Sequence, residues 1–309
     1  MYDIVVIGAG AAGLTAAIYA TRAEKKVLVL EGKTYGGQII NSLSVENYPG
    51  MYKVSGPDFA KALYEQAKEL GAEIGFEAVT KVNKLENGFE IVTEDDKYEA
   101  KVVIIATGSE YRKLGLPLEK ELEGKGLSYC ATCDGAFFKD KEVIVNGGGN
   151  TALYDAEYLA RICKKVYLVH RRSEFRGDKA LFDRVKALSN VEIVAPAVIS
   201  ELLPEDGKFA GVVLSSTDGE TGDAILGEPK ELRAEGLFVA IGSKPSSEVF
   251  EGLVEMDENG YIVASEDCKT SVPGIFVAGD VRTSSLKQLV TATADGARAA
   301  TEAVKAFSY

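Results

Sequence analysis

The sequence has 309 residues, 46% of them hydrophobic and 27% charged, which is the composition of a globular protein long enough for about two domains. Its formal net charge of -12 argues against nucleic acids and anionic membrane surfaces as partners, because both would repel it. No apolar run reaches the roughly 18 residues that a membrane-spanning helix needs, and no basic leader precedes the first predicted strand. We therefore expect a cytoplasmic protein that binds neither nucleic acid nor membrane.

The N-terminal segment has the pattern of a dinucleotide-binding βαβ unit. An apolar strand at 4–7 leads into a glycine-rich turn at 8–13, a helix at 14–23 and a second strand at 27–30 that ends in Glu31. In such a turn the first glycine makes the bend, the second lets the backbone approach a pyrophosphate, and the third lets helix and strand pack closely. The predicted binding residues are Gly8, Gly10 and Gly13, with Glu31 accepting hydrogen bonds from ribose hydroxyls.

The same pattern returns later in the chain, in register and without a gap. In the second copy, Gly147 stands for Gly8, Gly149 for Gly10, Ala152 for Gly13, and the strand 166–169 for the strand 27–30. An in-register repeat is harder to obtain by chance than either motif alone. We therefore predict two nucleotide-binding units, the second with Asn150 and Thr151 in its turn.

The two copies differ at the end of their second strand. Where the first copy has Glu31, the second has His170, Arg171 and Arg172, with Arg176 four residues beyond Arg172. An acid suits a bare ribose 2′-hydroxyl, whereas guanidinium groups suit a 2′-phosphate. The first site is therefore predicted to bind FAD or NAD and the second to bind NADPH. The alternative for the basic cluster is a solvated surface run.

Cys130 and Cys133 form a C-x-x-C pair almost midway between the two glycine turns, followed by Asp134. In a cytosolic protein such a pair is typically redox-active or metal-binding. Only a thiolate is a competent nucleophile, so the exchange needs a lowered cysteine pKa or a nearby proton acceptor. Asp134 is placed to act as general acid and base, and its alternatives are a helix N-cap or a solvated loop acid.

Zinc is the competing interpretation of the cysteine pair. A structural zinc site needs four ligands, and the other candidates, Cys163, Cys268 and His170, are isolated in the sequence. We therefore predict no metal site. Cys163 and Cys268 fit a buried small hydrophobe and a bystander thiol, and His170 fits a nucleotide neighbour.

Other segments fit an α/β fold with two Rossmann-like, three-layer domains, the second inserted into the first. The segments 106–109 and 238–243 close the two nucleotide units with similar strand ends, and 111–117 and 242–245 are the expected linkers. The predicted domains are 1–113 with 243–309, and 114–242. Further predicted elements are a helix at 59–70, strands at 73–79, 90–93 and 102–106, and a final helix from Leu286 or Leu289.

With these motifs in this order, the chain resembles the low-molecular-weight thioredoxin reductases of the bacterial type. The matching segments are 8–13, 36–38, 45–50, 106–108, 128–135, 147–152, 170–176, and 279–280 with Gln288. The resemblance implies FAD held by the first and last segments, at Gly8, Gly10, Ala12, Gly13, Glu31, Gly37, Gln38, Asn47, Thr107, Gly108, Gly279, Asp280, Lys287 and Gln288. It implies NADPH held by the middle segment, at Gly147, Gly149, Asn150, Thr151, His170, Arg171, Arg172 and Arg176.

The resemblance also implies a homodimeric enzyme that passes electrons from NADPH through FAD and the dithiol to the disulfide of thioredoxin or a thioredoxin-like protein. By the same analogy Cys133 faces the flavin, Cys130 attacks the protein substrate, and the middle domain rotates between the two tasks. Three positions depart from the family pattern: Asn146, Tyr154 and Lys287. The first two flank the second glycine turn, so they bear on NADPH rather than on FAD.

Two alternatives stay open at this stage. One is a related flavin disulfide reductase that uses NADH or ferredoxin as donor, or another small redox protein as acceptor. The other is a nucleotide-binding redox sensor without turnover.

Overall fold

The computed structural model describes residues 1–224 and 227–307. The chain divides into two compact units, Met1–Glu110 with Lys244–Tyr309, and Tyr111–Ser243. We call the first the split unit, because it is built from two chain segments, and the second the inserted unit.

The secondary structure alternates between strands and helices. The strands are β1 (Tyr2–Ile7), β2 (Val27–Leu30), β3 (Glu73–Gly75), β4 (Val79–Leu85), β5 (Gly88–Thr93), β6 (Lys97–Ile105), β7 (Ser109–Tyr111), β8 (Leu127–Ser128), β9 (Glu142–Asn146), β10 (Lys165–Val169), β11 (Val191–Val194), β12 (Ala197–Glu205), β13 (Lys208–Ser216), β14 (Lys230–Arg233), β15 (Gly236–Val239), β16 (Ser243–Pro245) and β17 (Ile275–Val277). The helices are α1 (Ala11–Arg22), α2 (Gly56–Glu69), α3 (Glu119–Leu122), α4 (Ala131–Asp134), α5 (Asn150–Ala160), α6 (Lys179–Lys186) and α7 (Leu289–Lys305), with 3-10 turns at Gly37–Asn41, Gly135–Phe138 and Glu248–Phe250.

The split unit is built on a sheet with the order β3-β2-β1-β6-β5-β4, and β17 pairs with β6. Strands β3, β2, β1, β6 and β17 run parallel to one another, whereas β5 pairs antiparallel with β6 and β4 pairs antiparallel with β5. Alternate residues of β1 enter different cores: Ile4 and Val6 pack with α1 and α7, while Val5 and Ile7 pack on the opposite face. A strand buried on both faces explains the continuous apolar run in the sequence.

The inserted unit has a parallel sheet with the order β11-β10-β9-β15-β8. Val143 and Val145 pack on the face covered by α5 and α6, and Ile144 packs on the other face with the antiparallel sheet β12-β13-β14. The predicted α/β class with two Rossmann-like units is confirmed.

The internal repeat is visible in three dimensions. A Cβ on Gly8 would lie 2.4 Å from the carbonyl oxygen of Ala106, and one on Gly147 would lie 2.2 Å from that of Ala240. Both glycines have positive φ, 107° and 157°. The two nucleotide units therefore close with the same tight contact between glycine turn and final strand, which only glycine permits.

Most predicted elements are found, with shifted ends. Strand β2 has the predicted bounds, and α7 begins at Leu289, one of the two predicted starts. Helix α2 begins earlier than predicted, because the Ser55 hydroxyl accepts a hydrogen bond from the Asp58 amide and caps it.

The single strand predicted at 73–79 is wrong. The chain leaves β3, which is parallel to β2, and enters β4, which is antiparallel to β5, so it must turn at 76–78. Glu77 anchors this turn by accepting hydrogen bonds from the hydroxyls of Thr93, at 2.8 Å, and Tyr98, at 2.7 Å.

The connections between the units include short strands. Where the chain passes from the split unit to the inserted unit and back, β7 and β16 pair with each other. Within the described part of the chain, no helix is long and apolar enough to cross a membrane.

Candidate active site

The cysteine pair is closed into a disulfide, with its two Cα atoms 5.3 Å apart. Cys130 follows the carboxyl end of β8, and the single helical turn of α4 returns the chain so that Cys133 meets it. The amides of Cys133 and Asp134 donate to the carbonyl oxygen of Cys130 at 3.2 and 3.1 Å. Both cysteines are half-buried, while Thr132 between them is exposed.

Asp134 has a defined partner beside the disulfide. Its Oδ2 atom accepts a hydrogen bond of 2.6 Å from the hydroxyl of Ser128. Burial raises the pKa of the Asp134 carboxyl group above its ordinary value, and the hydrogen bond from Ser128 opposes this rise. Asp134 ends α4 and occupies the N-cap position of the 3-10 turn that follows, as the N-cap alternative expects, but its side chain makes no cap hydrogen bond there.

Ser128 is the residue at this site that sequence reasoning missed. It is buried, ends β8, and its Oγ atom accepts a 3.1 Å hydrogen bond from the Cys130 amide. The available signal was a small polar residue two positions before the first cysteine, at the end of a short strand.

The dithiol helix packs against the helix of the second glycine turn. A Cβ on Gly135 would lie 3.0 Å from side-chain atoms of both Leu159 and Tyr158 on α5, and Ala131 shares a core with Ala152. Because β8, β9 and β10 lie in one parallel sheet, the dithiol, the second glycine turn and the basic segment follow strand ends at the same edge.

The second glycine turn is enclosed by the residues that follow the arginines. The amides of Arg176 and Gly177 donate to the carbonyl oxygen of Gly148 at 2.8 and 3.1 Å, and the Asp178 amide donates to Asn150 Oδ1 at 2.7 Å. Gly149 caps α5 without a side-chain cap, and a Cβ added there would meet nothing within 4 Å. The exposed helix N-terminus and the open space fit a phosphate group.

The three arginines lie in this basic segment, and Arg171 and Arg176 are exposed. The Arg172 Nε atom donates to the carbonyl oxygen of Thr221 at 3.2 Å. The Thr217 hydroxyl donates to the carbonyl oxygen of Arg171 at 2.5 Å. The fold thus holds the arginine cluster beside the glycine turn, although the guanidinium groups reach solvent.

His170 lies behind the turn instead of facing outward. It is buried, its ring centroid is 4.8 Å from that of Phe175, and a Cβ on Gly148 would lie 2.3 Å from its Cε1 atom. Burial lowers the pKa of His170, and the nearby arginines add to this effect. Its Nε2 atom has no hydrogen-bond partner among the described residues. The His170 ring is therefore neutral and packs beneath the glycine turn.

In the split unit, the predicted flavin residues also follow the carboxyl ends of parallel strands. Gly8 follows β1, Glu31 follows β2, Thr107 follows β6 and Gly279 follows β17, and these strands are neighbours. Gly10 caps α1 without a side-chain cap, and its nearest neighbour in the Cβ direction is Gly37 Cα at 4.0 Å. This edge has the open turn and free helix N-terminus that a dinucleotide needs.

The comparisons with known proteins agree with this architecture. The sequence model of the pyridine nucleotide-disulphide oxidoreductase family matches residues 2–296. The chain belongs to this family. The thioredoxin reductase of Bacillus subtilis (strain 168) is 42% identical to it over 300 residues, which are 97% of this chain and 93% of that protein.

Two solved thioredoxin reductases resemble this oxidoreductase along its length. That of Streptococcus pyogenes MGAS5005 is 39% identical, with a TM-score of 0.94 over 100% of this chain and 98% of that one. That of Lactococcus lactis, described as the FR conformation, is also 39% identical, with a TM-score of 0.66 over 99% and 98%.

Glu31 of the oxidoreductase has a second task besides the predicted ribose contact. Its Oε2 atom accepts from the Ala9 amide and its Oε1 atom from the Lys33 amide, both at 2.8 Å. The carboxylate therefore shapes the glycine turn directly, and each oxygen keeps a lone pair for a further donor.

Four other predicted flavin residues of the oxidoreductase meet in pairs. Asn47 Nδ2 donates to Gln288 Oε1 at 3.2 Å, and Lys287 Nζ donates to the Asp280 carbonyl oxygen at 3.0 Å. Burial raises the pKa of the Asp280 carboxyl group to about 6, with Lys287 acting in the opposite direction. Segments far apart in sequence thus assemble a polar rim around one edge of the split unit.

The remaining predicted flavin residues take packing and backbone positions. Ala12 lies under Gly279, whose Cβ would be 2.9 Å from that of Ala12. The Thr107 hydroxyl donates to the Ser246 carbonyl oxygen at 2.6 Å, and the Ser246 amide donates to the Gly108 carbonyl oxygen at 3.0 Å. Gln38 Nε2 donates to the Ser109 carbonyl oxygen at 3.3 Å.

The two other cysteines of the oxidoreductase, Cys163 and Cys268, are free and buried. Burial raises the pKa of both thiols to about 11, so neither forms a thiolate readily near neutral pH. Among the described residues, no group of three or more His, Cys, Asp and Glu side chains is placed to hold a metal ion.

Proposed function

We propose that this oxidoreductase is an NADPH-dependent thioredoxin-disulfide reductase that contains FAD. The observation that carries the proposal is the closed Cys130–Cys133 disulfide, which lies with Asp134 at the same sheet edge as the second glycine turn. The whole-length similarity to thioredoxin reductases supports thioredoxin, or a thioredoxin-like protein, as the electron acceptor.

FAD, when bound, takes up two electrons from a reduced nicotinamide and makes them available to a disulfide. The split unit would hold it, with the pyrophosphate at the turn that contains Gly8, Gly10 and Gly13, and the ribose near Glu31. The open space at Gly10 and the uncapped start of α1 support this assignment.

The inserted unit would hold NADPH at its own glycine turn. Arg171, Arg172 and Arg176 offer guanidinium groups to a 2′-phosphate, which an NADH-dependent enzyme would not need. The amide of Arg176 donates to the Gly148 carbonyl oxygen, and this contact between the basic segment and the glycine turn supports NADPH over NADH and over ferredoxin as the donor.

The reduced dithiol then completes the reaction by exchange. The Cys130 thiolate attacks one sulfur of the thioredoxin disulfide, which breaks that bond, forms a mixed disulfide and releases a thioredoxin thiolate. The Cys133 thiolate attacks Cys130 Sγ, so the enzyme disulfide closes again and the second thioredoxin thiolate leaves. Asp134 would supply and take up the protons of these thiolates.

One dithiol must serve both a bound flavin and a bulky protein, so we propose that the inserted unit moves between two arrangements. A covalent crosslink between the two units should stop thioredoxin turnover, and unchanged turnover would contradict the movement. We further propose that the protein is a cytoplasmic homodimer. Its mass would be measured by sedimentation.

The test is NADPH oxidation by the purified flavin-containing protein, with and without oxidised thioredoxin. Turnover should require thioredoxin, and Cys130→Ser and Cys133→Ser should each abolish it. Cys163→Ala is the matched control, because that free thiol lies in the core of the inserted unit, and it should keep full activity. Turnover that survives both serine variants would overturn the proposal.

A further inference from the structure

Ser128 joins the proton-handling carboxyl group to the backbone of the first cysteine. Its hydroxyl donates to Asp134 Oδ2 at 2.6 Å and accepts from the Cys130 amide at 3.1 Å. Ser128 is 5% exposed, so water does not readily replace either partner.

We propose that Ser128 is a positioning residue that holds the Asp134 carboxyl group beside the dithiol and reorients its own hydroxyl as Asp134 gains or loses a proton. This inference rests on the proposed dithiol chemistry and assigns a role to a residue outside the cysteine–aspartate motif.

The surrounding backbone makes this arrangement rigid. Ser128 is paired with Phe238 in the parallel sheet, so β15 fixes its position. Asp134 is fixed from the other side, because its own amide donates to the Cys130 carbonyl oxygen. The Cys130 backbone is thus held through its N–H by Ser128 and through its carbonyl group by α4. The Ser128–Asp134 hydrogen bond joins these two contacts into a closed ring.

The hydroxyl can satisfy both protonation states of Asp134. With an ionised carboxylate, the Ser128 proton points to Oδ2. With a protonated carboxyl group, Asp134 donates to Ser128 Oγ, and the serine proton turns to the Cys130 carbonyl oxygen, 3.4 Å away. The hydroxyl oxygen has two lone pairs, so it can accept from Asp134 and from the Cys130 amide together. Neither state leaves a buried donor without an acceptor.

Loss of this hydroxyl has a predictable electrostatic sign. The hydrogen bond from Ser128 stabilises the ionised form and lowers the pKa of Asp134 against the effect of burial. Without it, burial acts alone and the pKa of Asp134 rises further. A hydrogen bond to a charged group corresponds to a shift of about one pH unit or more.

Other titratable groups lie on the elements around α4. Helix α5 packs against it and carries Tyr154, Asp155, Glu157 and Tyr158. Tyr129, which precedes Cys130 in the chain, donates its hydroxyl to Glu119. Glu157 is paired with Arg184 and Arg161, and burial raises the pKa of Tyr129 out of the working range. Asp155 is the competing group, because burial raises its pKa to about 7.

The test uses the flavin-containing protein with its dithiol reduced chemically by a small thiol, then mixed rapidly with a small aromatic disulfide across a range of pH. This assay needs neither NADPH nor thioredoxin, so its failure is distinguishable from failure of the proposed function. Asp134→Asn and Asp155→Asn identify which limb of the pH profile belongs to Asp134.

In Ser128→Ala, the Asp134 limb should move up by about one pH unit, and Ser128→Thr, which keeps a hydroxyl, should restore it. Ser200→Ala is the matched control, because Ser200 is a strand serine of the same unit whose hydroxyl bonds the Val213 carbonyl oxygen. In the Asp134→Asn background, Ser128→Ala should add no further shift.

An unshifted profile in Ser128→Ala would overturn the proposal, and so would an equal rate loss at every pH in the alanine and threonine variants, which is the signature of a purely structural role. If Ser128→Ala does not fold, Ser128→Thr must keep the wild-type profile for the proposal to stand.

Discussion

At the scale of single residues, the site depends on how the fold modifies ordinary side chains. The sequence identified the cysteine pair and the acid beside it, because their spacing alone indicates redox chemistry. It could not identify Ser128 or the inward position of His170. Both depend on burial and on partners from other strands, which a local pattern does not contain.

Asp134→Asn tests the proton-handling role at this scale. Removing the carboxyl group should slow single-turnover reduction of thioredoxin about 100-fold at neutral pH, as expected for loss of general acid–base catalysis. Because burial raises its pKa, Asp134 keeps its proton above the pH at which an ordinary carboxyl group loses it. The wild-type pH profile should therefore show a limb above pH 3.8 that the variant lacks.

The stability of the same variant separates function from folding. A carboxyl group whose folded pKa lies above its unfolded pKa stabilises the fold fully below the unfolded value, and this contribution is lost as pH rises through the folded value. Asp134→Asn should thus be as stable as the wild type at pH 7, or more stable. A large loss of thermal stability would contradict a proton-handling role.

At the scale of elements, the in-register repeat predicted both βαβ units and the edge at which their sites lie. The antiparallel sheet β12-β13-β14 was not predicted. The pairing of β12 with β13 shifts register between Ile199 and Glu201 and again between Leu203 and Pro204. These irregularities interrupt the alternation of apolar and polar residues by which a strand is recognised.

The Gly279 turn depends on a buried ion pair that the sequence pattern also did not reveal. Arg282 Nη1 lies 3.0 Å from both carboxylate oxygens of Asp295 on α7, and Asp295 Oδ2 also accepts from the Gly279 amide at 3.2 Å. Both side chains are buried. The pair therefore links α7 to the turn that is proposed to contact FAD.

Asp295→Ala should lower the free energy of unfolding by about 3–5 kcal/mol, because it leaves the buried Arg282 guanidinium without its partner. Chemical denaturation with a fixed FAD concentration would measure the change. Glu65→Gln is the control, since Glu65 forms an exposed ion pair with Lys61 on α2 and its loss should be negligible. Equal stability of the two variants would show that the buried pair does not hold the turn.

At the scale of the whole molecule, the chain joins two nucleotide-binding units and one dithiol into a route for two electrons. The repeat, the arginines and the cysteine pair were all readable from the sequence. The sequence did not reveal that the dithiol and the second glycine turn share one edge of a sheet. Strand β8 has only two residues and pairs with a segment more than a hundred positions away.

NADPH is proposed to be the electron donor, and the Cys130–Cys133 disulfide is proposed to pass the electrons on to thioredoxin. Rapid mixing of the oxidised flavin-containing protein with NADPH, NADH or reduced ferredoxin tests this route most directly, with flavin absorbance as the readout. Arg172→Ala should weaken the preference for NADPH, and Arg161→Ala, a surface arginine on the same unit, should not.

In the wild type, we expect NADPH to reduce the flavin at least about tenfold more efficiently than NADH, as loss of a charge-assisted contact to the 2′-phosphate implies. Later addition of oxidised thioredoxin should return the flavin to its oxidised absorbance, but not in Cys133→Ser. Equal reduction by NADH, or reduction by ferredoxin alone, would contradict the account.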